Sequence, residues 1–168
     1  MTRWGHCGPS RPATTVPDAG WGGASGIREA GSERLGYGGW AIATVLFADD
    51  DPDIRELGRL LLAKHGHEVV TAANGLEAIA MLPSVRPSLV ITDVNMPQQD
   101  GAAVCTAVRS SPALREIPVI LLTALPLDDE RVVKASNVGN AMVLIKTDIS
   151  RLGEVADSLV PRSPTAAA

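Results

Sequence analysis

No apolar run in this chain approaches the ~18 to 20 residues that a bilayer-spanning helix needs, so no transmembrane role is expected. Cysteine is nearly absent. Cys7 and Cys105 lie far apart in segments of different character, which excludes a disulfide framework and fits a reducing cytoplasm. Positive charge is also short: the formal net charge is −4, and the lysines and arginines are scattered. Phosphate backbones are bound by clustered basic side chains, so no nucleic-acid role is expected, and a protein partner is the better default. The first residues are polar and rich in glycine and proline, without the apolar stretch of a secretory signal. A soluble protein located in the cytoplasm is the resulting expectation.

At 168 residues the chain is about one domain long. Residues 1–40 hold ten of the sixteen glycines and all three tryptophans (Trp4, Trp21 and Trp40), yet show no periodic apolar pattern. Residues 1–42 are read as a disordered Gly/Pro-rich arm. A start placed too far upstream, a docking arm that uses the tryptophans and a plain linker all remain open. The tail 161–168 also lacks an apolar pattern. It is read as disordered, leaving no helix-turn-helix or enzymatic output module after residues 43–160.

Within residues 43–160 short apolar runs alternate with helical patterns. Val45–Ala48, Glu68–Thr71, Leu89–Thr92, Val119–Leu122 and Met142–Ile145 are five candidate strands. Their nearly continuous apolarity is what a parallel sheet covered on both faces demands. Between them Ile54, Leu57 and Leu61 recur at helical spacing, with Asp51 as cap, Pro52 at a first helical position and Gly66 at the stop. Leu76, Ile79 and Leu82 repeat the pattern after Asn74-Gly75, and further helices fit Ala102 to Arg109, Asp128 to Ser136, and Ile149 to Leu159. Five βα units predict a doubly wound, flavodoxin-like α/β domain with strand order 2-1-3-4-5.

In such sheets ligands bind beyond the carboxyl ends of the strands, near the point where strand order reverses. Asp49 and Asp50 follow the first strand, Asp93 the third, Thr123 ends the fourth and Lys146 closes the fifth. Alone, each has a plainer explanation. Asp49 and Asp50 could be helix-start acids, Asp93 a turn former, Thr123 an ordinary strand residue and Lys146 a solvated lysine. Their placement at four adjacent strand ends argues for one pocket. Carboxylates so close repel one another unless a cation sits among them, and Mg²⁺, which takes hard oxygen ligands and keeps several waters, suits two or three carboxylates. No His/Cys cluster offers a soft-metal alternative, and the His65-x-His67 pair is read as surface packing. A carboxylate can act as nucleophile on phosphorus, while Lys146 and Thr123 can stabilise the product's oxygens.

These residues resemble the response regulator receiver family, the phosphoacceptor half of bacterial two-component systems. Leu46 through Leu57, including Asp49-Asp50-Asp51-Pro52, is similar to that family's opening strand, acidic pair and first helix. Asp93-Val94-Asn95-Met96-Pro97 with Asp100-Gly101 resembles its phosphorylation loop, Leu121-Leu122-Thr123-Ala124 its switch strand, and Lys146 its lysine. The resemblance implies a CheY-like receiver fold with Asp93 as phosphoacceptor, Mg²⁺ bound by Asp50, Asp93 and the Asn95 carbonyl, and Asp49 acting through metal-bound water. Thr123 and Lys146 would contact the phosphoryl group. The implied donor is a sensor histidine kinase or histidine phosphotransfer protein, and the implied output is protein contact through the face of helix 4, strand 5 and helix 5. The chain is thus expected to be no enzyme but a single-domain response regulator.

Two positions depart from the family pattern. Thr147 stands where a cis proline usually follows the lysine, and a non-proline cis bond costs ~2.5 to 4 kcal/mol, which predicts a trans bond and a differently shaped loop. Val143 occupies the place of a strand 5 aromatic that accompanies the threonine shift. These departures keep open a receiver that docks without phosphorylation. Two enzyme or carrier readings fail on single features. A haloacid-dehalogenase-type phosphatase needs a second acid where this chain has Asn95, and a flavin carrier would set its phosphate against Asp49-Asp50-Asp51.

Overall fold

A computed structural model of the chain describes residues 34–35 and 41–160. The expected disordered arm over residues 1–42 lies outside the described residues except for Arg34–Leu35 and Ala41–Ile42, which pair as a two-residue antiparallel ladder. The expected disordered tail 161–168 lies outside them entirely, as does Cys7.

The remaining elements alternate in chain order: β1 Thr44–Ala48, α1 Pro52–Lys64, β2 Glu68–Ala72, α2 Gly75–Val85, β3 Leu89–Asp93, α3 Gly101–Ser110, β4 Val119–Thr123, α4 Glu130–Gly139 and β5 Met142–Ile145. A 3-10 turn, Lys146–Arg151, then leads into α5, Leu152–Leu159. All five strands are parallel in the order β2-β1-β3-β4-β5, the predicted doubly wound arrangement.

The continuous apolarity of the strands has the cause the sequence suggested. Along β1, Leu46 and Ala48 face one core while Val45 and Phe47 face another; Val90 and Ile91 in β3, and Leu121 and Leu122 in β4, divide likewise. The first core lies under α2, α3 and α4 through Ala78, Val104 and Val132, and the second under α1 and α5 through Leu62 and Leu152. Each fully buried aliphatic side chain contributes ~1.5 to 3 kcal/mol, so the doubly covered strands hold the domain together.

The expected helix faces hold at Ile54, Ile79 and Leu82, which meet the cores, and need correction at Leu57 and Leu76. In α1 the buried residues are Gly58 and Leu62, and Leu57 is 40% exposed. In α2 Gly75, Ala78 and Leu82 are buried, and Leu76 is 54% exposed. Beside Leu62 and Leu82, the inward stripe of each helix includes small residues, Gly58, Gly75 and Ala78, and a search for large apolar side chains steps past them. Gly66 does stop α1, with a positive φ of 87°.

Candidate functional site

The register of the sheet assembles the site. Ala48 pairs with Thr92, which sets Asp49 level with Asp93, and Asp93 pairs with Leu122, so that Thr123 stands one step further along β4. Thr123 in turn pairs with Ile145, and Lys146 follows at once. At the other side of Asp93 the loop 94–100 folds back tightly: the Gly101 N–H donates to the Val94 carbonyl at 3.0 Å. A Cβ on Gly101 would stand 2.5 Å from the Asp93 carbonyl oxygen, so only glycine lets α3 begin there.

Four side chains meet in the resulting pocket. Lys146 Nζ donates to Asp93 Oδ2 at 2.7 Å and lies 2.8 Å from Asp49 Oδ2. Asp49, Asp50 and Asp93 each bring a carboxylate oxygen within 4.8 Å of the others. Asp49 is fully buried and Asp93 nearly so, whereas Asp50 is exposed. Burial raises the Asp49 pKa above the ordinary carboxyl value, with the Asp93 charge adding to it, against the lowering effect of Lys146 and the Asp51 N–H. Burial works the other way on the Lys146 ammonium, but its close contacts with Asp49 and Asp93 and their charges outweigh that, and its pKa stands above the usual lysine value.

Two further predicted residues border the cluster. Asn95 is exposed, and its N–H donates to Asp93 Oδ1 at 3.2 Å. Thr123 is buried and makes no hydrogen bond to Asp93; its Oγ1 accepts the Leu125 N–H at 2.9 Å, which leaves the hydroxyl hydrogen to donate elsewhere. Asp51 stays outside the cluster and caps α1, accepting from the Asp53 N–H at 2.9 Å.

The donor set fits a hard cation. Asp49 Oδ2 is buried and has no well-aligned hydrogen-bond donor, even though Lys146 approaches it, so the oxygen retains an unused lone pair. Three carboxylates within reach of one ion, without nitrogen or sulfur ligands, form an acidic pocket that could hold a metal.

Sequence reasoning missed two arginines here. Arg55 on α1 donates through one nitrogen to the Asp49 carbonyl at 2.7 Å and the Asp50 carbonyl at 3.0 Å, fixing the acidic turn. Arg131 on α4 grips Asp129 with two nitrogens, at 3.0 and 2.9 Å, and reaches the Asn95 side-chain oxygen at 3.3 Å. An arginine one turn into a helix that starts after consecutive acids was a legible signal for Arg55. Nothing in the sequence linked Arg131 to Asn95.

A doubly wound α/β domain with a carboxylate cluster and one lysine at the carboxyl ends of its central strands is the class these observations define. The family model described as the response regulator receiver domain matches residues 45–157. The chain belongs to that family, the receiver modules of two-component signalling, which are signalling modules rather than classical enzymes.

Among curated relatives, the response regulator MprA of Mycobacterium avium is 40% identical over 88 residues, 52% of this chain and 38% of that protein. An uncharacterized 14.6 kDa protein of Leptolyngbya boryana is 39% identical over 87 residues, 52% of this chain and 66% of that protein. The chain thus spans less than two thirds of the length of either. Among solved structures, the chemotaxis protein CheY4 of Vibrio cholerae superimposes with a TM-score of 0.65 at 32% identity, covering 71% of this chain and 99% of that one. No helix among the described residues is long and apolar enough to cross a membrane.

Proposed function

We propose that this receiver takes a phosphoryl group onto Asp93 from a phosphohistidine of a sensor histidine kinase or histidine phosphotransfer protein. The observation that carries the reading is the ion pair of Asp93 Oδ2 with Lys146 Nζ, 2.7 Å long and set among the acids of β1. An Asp93 oxygen attacks phosphorus, the P–N bond breaks, and its electron pair stays on the donor imidazole, which takes up a proton.

Asp49, Asp50, Asp93 and the Asn95 backbone carbonyl would hold Mg²⁺, Asp49 through bound water as in the family it resembles. Bound Mg²⁺ supplies positive charge against the oxygens of the transferred group. Lys146 keeps its charge throughout, since its partners raise its pKa, and can move from the Asp93 carboxylate to a phosphoryl oxygen. Thr123, whose Oγ1 already accepts the Leu125 N–H, has its hydrogen free for the same group.

Output by protein contact through α4, β5 and α5 is the accompanying proposal. Val133 on α4, Leu127 in the loop before it and Met142 on the edge strand β5 are exposed large apolar residues on that side of the molecule, suited to covering by a partner. The test is intact mass after incubation with acetyl phosphate. Addition of one phosphoryl group that requires Mg²⁺ and is lost in Asp93→Asn supports the reading. No addition to a folded protein favours the receiver that docks without phosphorylation, the alternative that Thr147 and Val143 keep open.

A further inference from the structure

His65 and His67 flank Gly66 in the turn from α1 to β2, at the amino-terminal edge of the sheet and so at the opposite end from the carboxylate cluster. The surface packing expected for this pair fails for His67, which is buried. Both rings meet one carboxylate on α5: Asp157 Oδ2 lies 2.6 Å from His65 Nδ1, and Asp157 Oδ1 lies 3.0 Å from His67 Nε2. Gly153, one turn before Asp157, makes the approach possible. The His65 ring occupies the space that a Cβ at Gly153 would need.

The second nitrogen of His67 is also engaged. Its Nδ1 accepts the backbone N–H of Ala43, the residue before β1, at 3.3 Å. A ring nitrogen that accepts carries no proton, so this imidazole is neutral with its hydrogen on Nε2, toward Asp157. The Nε2 to Oδ1 contact is close but poorly aligned, and neither buried atom has another partner. Burial lowers the His67 pKa below the ordinary histidine value and outweighs the raising effect of the Asp157 carboxylate; His65 adds to the lowering. Asp157 from α5 and His65 from the turn are the titratable groups acting on His67, and the head of β1 offers it the Ala43 N–H.

We infer that His67, set between the Ala43 N–H and Asp157, is a proton-sensitive fastening of α5 to the head of β1 that releases on acidification, while His65 keeps its own contact with Asp157. Protonation places a hydrogen on His67 Nδ1, donor against donor with the Ala43 N–H, so the ring must turn away and its contact with Asp157 goes with it. The folded chain takes up this proton less readily than the unfolded chain. Stability from the neutral His67 contact is therefore complete above the ordinary histidine range near ~6.5 and is lost as pH falls below it, by at most about tenfold in the folding constant per pH unit. None of this depends on phosphorylation of Asp93.

The test is an NMR titration of the full chain from about pH 8 to about pH 5, across the ordinary histidine range. His65→Gln serves to assign the ring signals, and the wild type supplies the result even where a variant fails to fold. This fastening predicts that the His67 ring titrates with a midpoint below ~6.5 and that the α5 amides from Val155 to Ser158 shift with the same midpoint. Asp157→Asn, by removing the carboxylate, should lower that midpoint further. A His67 midpoint at the ordinary value, or α5 amides that stay still while His67 titrates, overturns the inference.

Discussion

Lys146 Nζ stands 2.7 Å from Asp93 Oδ2, a cation and an anion brought together from strand ends 53 residues apart. The same ammonium touches Asp49 Oδ2 at 2.8 Å, so removing it exposes two buried carboxylates to each other. Lys146→Ala should lower stability without Mg²⁺ by about 2 kcal/mol, somewhat less than is typical of a fully buried broken pair. Added Mg²⁺ should narrow the gap, because a cation bound only by the folded state stabilises it by mass action. Urea unfolding of both proteins with and without Mg²⁺ checks this; a gap that Mg²⁺ leaves unchanged would show that the carboxylates share no cation.

Asp49 is a stability cost. Its carboxyl is raised by burial, so the folded form holds the proton to higher pH than the unfolded chain does. Stability from this group is present below the unfolded carboxyl value and lost as pH rises through the folded one, so at neutral pH the buried charge is unfavourable. Asp49→Asn should therefore raise the Mg²⁺-free melting temperature by a few degrees, on the order of 1 kcal/mol, and the gain should fade as pH falls into the carboxyl range. Phosphorylation with Mg²⁺ should weaken in the same variant. Thermal unfolding at several pH values would contradict the account if Asp49→Asn were the less stable protein at neutral pH.

Three consecutive acids follow β1, and they divide by role. Asp51 is exposed and accepts the N–H of Asp53 at 2.9 Å and of Ile54 at 3.4 Å, a helix cap outside the carboxylate cluster. Asp51→Ala should cost about 1 kcal/mol of stability and leave phosphorylation by acetyl phosphate intact. A folded Asp51→Ala protein that no longer accepts phosphate would place Asp51 in the site instead.

The three inner strands were legible because both of their faces are buried, so that Leu121 and Leu122 enter different cores yet read as one apolar run. The acids, Thr123 and Lys146 were legible because parallel topology carries every strand end to the same edge. Where packing depends on small residues the sequence misled: Leu57 and Leu76 face outward while Gly58 and Ala78 lie against the sheet. His67 was misread as surface packing for a different reason. Its partner Asp157 lies 92 residues from His65 along the chain, and a local reading of His-x-His contains no trace of it.

The most direct measurement is to locate the phosphoryl group. After incubation with Mg²⁺ and acetyl phosphate, borohydride reduces an aspartyl phosphate to homoserine, and peptide mass spectrometry reads which position has changed. The account predicts conversion at Asp93, with Asp49, Asp50 and Asp51 untouched. Conversion at one of those acids, or none at Asp93 in a chain shown to carry phosphate, would contradict it.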